Sequence, residues 1–308
     1  MSSRPAPSVL ARCARELGWR AYAIPVLLVI TIWVLVDVFT APADPGETGA
    51  AGQATETTAT ESEDETASES NDDEGRSGPN PADDPDQQLP LNQLPPGGPY
   101  TEQGEGTFRT VGTPGMTAGE GEDMVVRFVV EVEDGVDTAG SGGDDALSAM
   151  IDATLSNPKG WTNDRAFRFE HVGPDDNPDM RIQLTSVGTT REVCGGLDLE
   201  METSCHIRID GVSRVVLNES RWVRGAAPFN GDLGSYRQYL VNHEVGHGLG
   251  YAAHEACGGE GELAPIMMQQ TLSLNNAELH SINPDEVYPD EPTTCLYNPW
   301  PYPRPAVL

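Results

Sequence analysis

The chain divides into stretches with different hydrophobic patterns. Residues 21–39 are almost wholly apolar, whereas residues 41–100 consist mainly of Glu, Asp, Thr, Ser, Gly and Pro. This acidic segment cannot bury enough apolar surface to fold, so we expect a disordered linker there. Apolar positions return with regular spacing after Thr101 and predict one folded domain over 101–308.

Short apolar runs within that region predict an α+β domain. One helix is predicted to end near Leu155 and to begin with Asp144 or Asp145 as its N-cap; a second begins near Asp232 or Gly234 and continues through His247. Runs bounded by Gly, Pro or Asp predict strands at 106–111, 124–132, 166–171, 180–185, 206–209 and 214–217. We expect a mixed, twisted sheet with two main helices.

The first hundred residues predict a membrane-tethered, exported protein. Arginines precede the apolar run and acidic sequence follows it, which places the N-terminus inside and the remainder outside. The run is near the length of about 20 residues that spans a bilayer. We predict a cytoplasmic segment over 1–20, a single-pass signal anchor over 21–40 and a linker over 41–100. Ala41-Pro42-Ala43 resembles a cleavage site, so secretion after cleavage is the alternative.

The charge balance argues against nucleic acid as a partner. The chain has 49 Asp and Glu against 18 Lys and Arg. From Thr101 onward there are 33 acidic and 13 basic residues, an excess of 20 negative charges, so the acidity belongs to the folded domain as well.

Cysteine placement fits an oxidising compartment. Cys13 falls on the predicted inner side, whereas the other four cysteines fall in the exported domain, where an even number predicts disulfides. Three pairings are open. The strand-like segments around Cys194 and Cys205 favour that pair, which leaves Cys257 with Cys295. A zinc site built from these thiols is the competing interpretation, but no C-x-x-C spacing supports it.

The segment His243-Glu244-Val245-Gly246-His247 has the spacing of a metal site. His243 and His247 are four residues apart on a predicted helix, so both imidazoles project from one face toward one ion. Glu244 is suited to taking a proton from an attacking water rather than to binding the metal. Zinc is the expected ion because it is redox-inert, binds imidazole and accepts an open fourth position.

Three glycines add to this pattern. Gly250 is where the helix should end in a sharp turn through positive φ, which glycine adopts freely. Gly246 and Gly248 each cost about 1 kcal/mol relative to alanine within a helix. Their presence predicts that another part of the protein packs closely against them.

The residues after the turn complete a resemblance to a known family. The H-E-x-x-H-x-x-G helix, His254 shortly after Gly250 and a methionine near Pro265 resemble the metzincin clan of zinc peptidases. The chain is more similar still to a group of bacterial membrane-anchored, metzincin-like proteins filed as a domain of unknown function. That similarity extends over the segments 194–199, 236–239, 243–250, 265–272 and 295–301.

The resemblance implies a zincin fold and a set of site residues. It implies Zn²⁺ held by His243, His247 and His254, with Met267 rather than Met268 in a methionine turn beneath the metal. The family places its third histidine ten residues after the first, where this chain has Ala253, so His254 requires one inserted residue in the loop. Glu255 and His280 are the other candidates for third ligand.

We therefore expect a zinc-dependent endopeptidase with Glu244 as general base. Its substrate would be a protein or peptide outside the cell, with cell-wall peptides as another candidate. The alternative is a catalytically silent, zinc-stabilised binding or scaffold domain of the cell envelope. Residues from about Cys205 to Val216 are expected to pair with an extended peptide. His171 and His206 are expected to be structural or surface residues.

Overall fold

The computed structural model describes residues 89–90, 93–195 and 203–304, which belong to one compact unit, Gly78–Leu308. The predicted cytoplasmic segment, the predicted anchor at 21–40, most of the predicted linker and the segment 196–199 lie outside the described residues. Among the residues that are described, no helix combines the length and apolarity needed to cross a bilayer.

The described residues form an α+β fold with seven strands and five α-helices. In chain order these are β1 (Phe108–Val111), β2 (Thr117–Gly119), β3 (Met124–Glu133), α1 (Asp144–Leu155), β4 (Phe167–His171), β5 (Met180–Thr185), α2 (Val187–Cys194), β6 (Cys205–Ile209), β7 (Val212–Asn218), α3 (Glu219–Arg224), α4 (Leu233–Leu249) and α5 (Asn276–Ile282). The predicted α+β class and mixed sheet are confirmed. The two main helices are α1 and α4; the short helices α2, α3 and α5 were not predicted.

The seven strands form one mixed sheet with the order β2-β4-β3-β5-β7-β6, and β1 pairs with the second half of β3. Strands β4, β3, β5 and β7 run parallel. Strand β6 runs antiparallel to β7 and pairs with no other strand of the described chain. One side of β6 is therefore a sheet edge.

The main core lies between this sheet and the two long helices. Phe128 and Val130 of β3 are fully buried, as are Ile151 of α1 and Tyr239 of α4, and all four belong to one apolar cluster. The apolar residues 128–130 of β3 are all buried, as expected for a central strand that is covered on both faces of the sheet.

The caps of the two long helices differ. Asp232 caps α4, because its side chain accepts a hydrogen bond from Ser235 N. The predicted Asp144 or Asp145 cap of α1 is wrong: Gly143 holds the N-cap position, and no side chain caps it. The Asp144 carboxylate instead pairs with Arg109 of β1 at 2.9 Å, so it ties the helix to the sheet.

Both predicted disulfides are present. Cys194–Cys205 joins the end of α2 to β6, and Cys257–Cys295 joins two loops on either side of α5. The second bridge lies in a smaller apolar cluster together with Met268, Leu279 and Tyr288. It therefore stabilises a part of the domain that has few large side chains of its own.

Removing the Cys257–Cys295 bridge is expected to lower the free energy of unfolding by about 4 kcal/mol, because the bridge closes a loop of 38 residues in the unfolded chain. The double alanine variant tests this by urea unfolding. The matched double variant at Cys194 and Cys205 should lose only about 3 kcal/mol, because that loop spans 11 residues. A larger loss from the shorter loop would contradict the loop-length argument.

Candidate metal centre

Three histidines meet at the end of α4. His243 and His247 project from the same face of the helix, and His254 arrives from the loop that follows Gly250. One ring nitrogen of each lies within 4.8 Å of the others, and no other His, Cys, Asp or Glu of the described chain joins this group. The ring centroids are 4.8 to 5.4 Å apart.

Each histidine uses its Nδ1 to bind another part of the protein. The acceptors are the Ile266 carbonyl oxygen for His243, the Tyr251 carbonyl oxygen for His247 and Glu286 Oε2 for His254, each at 2.9 Å. An imidazole that donates from Nδ1 presents the lone pair of Nε2. This is the orientation that hydrogen-bond partners impose on metal-binding histidines.

The donor set fits a metal ion. His243 Nε2 is buried and has no hydrogen-bond partner among the described residues, and an unpaired buried polar atom carries a free-energy cost that a bound ion would remove. Burial holds the pKa of His243 well below its usual range and also lowers the pKa of His247. Both rings therefore stay neutral, which is the form that binds metal.

Glu244 lies beside this group. It is 3% exposed, and its Oε2 is buried without a hydrogen-bond partner among the described residues. Burial raises the pKa of Glu244 to about 8 in the absence of a metal ion. The side chain lines the same cleft as the three histidines.

The end of α4 is a Schellman motif. Gly250 adopts a φ of 108°, its N–H donates to the His247 carbonyl, and the Tyr251 N–H donates to the Gly246 carbonyl. The exposed residues 251–253 then lead to His254, and the Tyr251 ring stacks on Trp161 at 4.8 Å. Three exposed residues thus separate Gly250 from His254.

Met267 packs directly against α4. A Cβ added to Gly246 would lie 2.6 Å from Met267 Sδ and 2.7 Å from Trp161 Cζ2, and one added to Gly248 would lie 2.6 Å from Met180 Cε. These contacts are the close packing that the two glycines predict. Met268 points elsewhere and belongs to the smaller apolar cluster.

Tyr239 helps to hold the methionine segment on the helix. Its hydroxyl donates to the Met268 carbonyl and accepts from the Gln270 N–H, both at 2.9 Å. Together with the bond from His243 to Ile266, these contacts connect residues 266–270 to α4 at three points. These contacts therefore fix the position of residues 266–270 relative to the histidines of α4.

Replacing Gly246 with alanine is expected to destabilise the protein by about 1–3 kcal/mol, because the added methyl group overpacks Met267 and Trp161. This loss should appear even though alanine favours a helix by about 1 kcal/mol relative to glycine. Gly234→Ala on the same helix is the control, since its nearest atom would be 3.5 Å away. Equal unfolding midpoints for the two variants in urea would contradict the packing argument.

The other candidate ligands lie apart from the group. Glu255 is exposed, and His280 donates from Nδ1 to the Tyr288 carbonyl oxygen. Neither belongs to the cluster of potential ligands within the described chain. The structure thus brings together His243, His247 and His254.

The histidines open onto a cleft of about 690 Å³. One part of its wall comes from β6 and the residues before it, and other parts come from the loops after α4 and α5. The residues that line it are Thr203, Ser204, Cys205, His206, His243, Glu244, His247, Ala252, Ala253, His254, Gln269, Asn283, Asp285, Glu286 and Val287.

His206, for which a structural or surface role is expected, also lines the cleft. It lies on β6, and its Nε2 is hydrogen bonded to Ser213 Oγ at 2.8 Å. No spacing in the sequence connects it to the histidines of α4; only the pairing of β6 with β7 brings it there. His171 is buried, contacts Asp152 at 2.9 Å and is absent from the cleft lining, in agreement with a structural role.

Fold and site together define an α+β protein with a three-histidine group that can hold a metal ion. The chain belongs to the family described as "Protein of unknown function (DUF3152)", whose model matches residues 94–303. Neither the comparison with curated proteins nor the comparison with solved structures gave a match.

Proposed function

We propose that this protein is an extracytoplasmic zinc-dependent endopeptidase. The observation that carries this proposal is the meeting of three histidines, each with Nδ1 already bonded, beside a buried carboxyl group whose Oε2 has no partner among the described residues. All four side chains line one open cleft.

His243, His247 and His254 would hold the zinc ion. Three neutral imidazoles match the ligand sets of catalytic zinc sites, which leave a fourth position open for water or substrate. When bound, zinc lowers the pKa of water and polarises a carbonyl group. The Ile266 carbonyl, the Tyr251 carbonyl and Glu286 fix the three rings from behind.

Glu244 would act as the proton carrier. As a carboxylate it accepts the proton of the water that attacks the scissile carbonyl, and it then gives that proton to the nitrogen of the leaving amine. Its free Oε2 supports this role, because a carboxyl group held only for structure would be paired. The same feature argues against the catalytically silent scaffold, which needs no unpaired acid at this position.

Strand β6 would bind the substrate. Its outer edge is unpaired within the described chain, and residues at its start line the cleft. An extended peptide can add to such an edge through backbone hydrogen bonds. The helix that ends at Gly250, the histidine in the next loop and the packing of Met267 against Gly246 support a metzincin-like arrangement around this edge.

The protein would work outside the cell. Its two disulfides support an oxidising compartment. The apolar run over 21–40 would anchor it in the cell membrane with the catalytic domain outside, or would be removed from a secreted form. Proteins, peptides or cell-wall peptides are the substrates available there.

The proposal is tested by metal analysis and peptide cleavage with the full-length chain in mild detergent. We expect one zinc ion per chain, cleavage of unstructured peptides detected by mass spectrometry, loss of cleavage after chelation, and recovery when zinc is restored. A protein that binds no zinc would contradict the metal site. A zinc-loaded protein that cleaves neither a peptide library nor cell-wall peptides would favour the scaffold.

A further inference from the structure

We propose that the cleft selects peptides that carry a lysine or arginine side chain near Asp285; this inference rests on the proposed peptidase function. The acidic side chains of the cleft lining are Glu244, Asp285 and Glu286, and no lysine or arginine is among the described lining residues. A cleft with charge of one sign attracts ligands of the opposite sign.

Asp285 is the acidic residue whose charge is available. It is exposed, and in the described chain its hydrogen bonding is limited to its own N–H, which donates to Asn283 Oδ1 at 3.3 Å. Its carboxylate forms no ion pair there. Glu286 differs, because its Oε2 accepts from His254 Nδ1 at 2.9 Å. Asp285 is thus free to meet a ligand, whereas Glu286 helps to orient a histidine.

A second observation marks this cleft as a ligand site. His243 and Glu244 line it, and each has a buried polar atom, Nε2 and Oε2 respectively, without a partner among the described residues. Exposed acidic residues alone would not indicate a binding site, because the whole domain is acidic. Here the Asp285 carboxylate shares its cleft with two side chains that each have a buried polar atom without a partner among the described residues.

Val287 suits the rest of a basic side chain. It is 55% exposed, it follows Asp285 by two residues, and it lines the same cleft. Lysine and arginine place their aliphatic stems on apolar surface while the charged end stays in water. An apolar side chain next to a free carboxylate therefore matches a basic residue better than an acidic or a short polar one.

A bound zinc ion would not remove this preference. The charge of the ion must be included in the net charge of the cleft. That positive charge would lie at the three histidines beside Glu244. The inference therefore depends on Asp285 rather than on the sum of charges in the cleft. Interactions of exposed charges are screened by salt, so the preference should weaken at high ionic strength.

The experiment uses the full-length, zinc-loaded protein and a fixed set of unstructured peptides. Within each series, one position at a time carries lysine, norleucine or glutamate, and kcat/KM is measured. In the wild type we expect lysine to exceed norleucine by about fivefold at one position, the size of effect expected for an exposed ion pair. Asp285→Asn should bring this ratio near one, and Asp285→Lys should favour glutamate.

Asp175→Asn is the matched control, because Asp175 is exposed, carries the same charge and does not line the cleft. It should keep the wild-type ratio. Cleavage with the same lysine-to-norleucine ratio in the wild type and Asp285→Asn would overturn the inference and leave the peptidase standing. An equal fall of the ratio in Asp175→Asn would also overturn the inference, because the preference would then come from the net charge of the protein and not from Asp285.

A binding measurement separates the inference from the proposed function. The dissociation constants of the same peptides are measured by calorimetry with full-length Glu244→Gln, which should bind without cleaving. Suppose that the wild type cleaves no peptide, yet lysine peptides bind more tightly than the others and this advantage depends on Asp285. The ligand class would then stand, and the proposed peptidase activity would be overturned. If no peptide is cleaved and lysine gives no advantage in binding, both are overturned.

Discussion

Glu244→Gln is expected to abolish most peptide cleavage while the protein keeps its zinc. The amide has nearly the shape of the carboxyl group, so the buried position beside the histidines stays filled. It cannot accept the proton of an attacking water, and general base catalysis by one side chain typically contributes about 10²–10⁴-fold. We expect kcat to fall by this factor, measured with a fluorogenic peptide at saturating zinc.

Two controls make this result specific. Zinc content, measured on the same preparation, should equal that of the wild type, because Glu244 is not among the three clustered ligands. Glu120→Gln removes an exposed carboxylate that pairs with Arg165 on the surface, and it should retain full activity. Unchanged cleavage by Glu244→Gln would exclude it as the general base, and loss of zinc would show that it binds the metal instead.

Regular, well-bounded segments of this fold are predictable from sequence. The predicted limits of β5 agree with the structure, because its apolar run lies between an Asp-Pro-rich turn and a helix-capping serine. The two long helices repeat their apolar positions over several turns, and α4 has Asp232 and Gly250 as clear end signals.

The short helices were missed for a physical reason. Helix α2 begins two residues after β5, and α3 begins directly after β7, where Asn218 ends the strand and also caps the helix. No turn residues separate these elements. With 6 to 8 residues each, α2, α3 and α5 show too few helical turns for their periodicity to be recognised.

The residues of the site also differ in how far the sequence predicts their positions. His243, Glu244 and His247 lie within one helical turn, so their spacing alone places them together. His206 and Glu286 come from distant segments, and their positions depend on the pairing of β6 with β7 and on the loop after α5. Sequence spacing cannot indicate contacts that arise only when the chain folds.

His254→Ala is expected to lower zinc affinity by more than about 100-fold. Loss of one partner that orients a metal-binding histidine typically lowers metal affinity by about 10–100-fold, and loss of the ligand itself should lower it further. The substitution also leaves Glu286 without the ring that now contacts its Oε2 at 2.9 Å. Competition with a chelator of known affinity measures the zinc affinity of each variant. Glu286→Gln should lower that affinity by only about 10–100-fold, because it removes an orienting partner and not a ligand.

The neighbouring Glu255 provides the decisive comparison. If the inserted residue were not accommodated in the exposed turn at 251–253, Glu255 would be the nearest replacement ligand, and Glu255→Ala would lose zinc while His254→Ala kept it. The structure favours the opposite result, because His254 lies within 4.8 Å of the other two ligands and Glu255 does not belong to the group. Equal zinc affinity for Glu255→Ala and the wild type, together with loss of zinc from His254→Ala, would show that His254 is the third ligand.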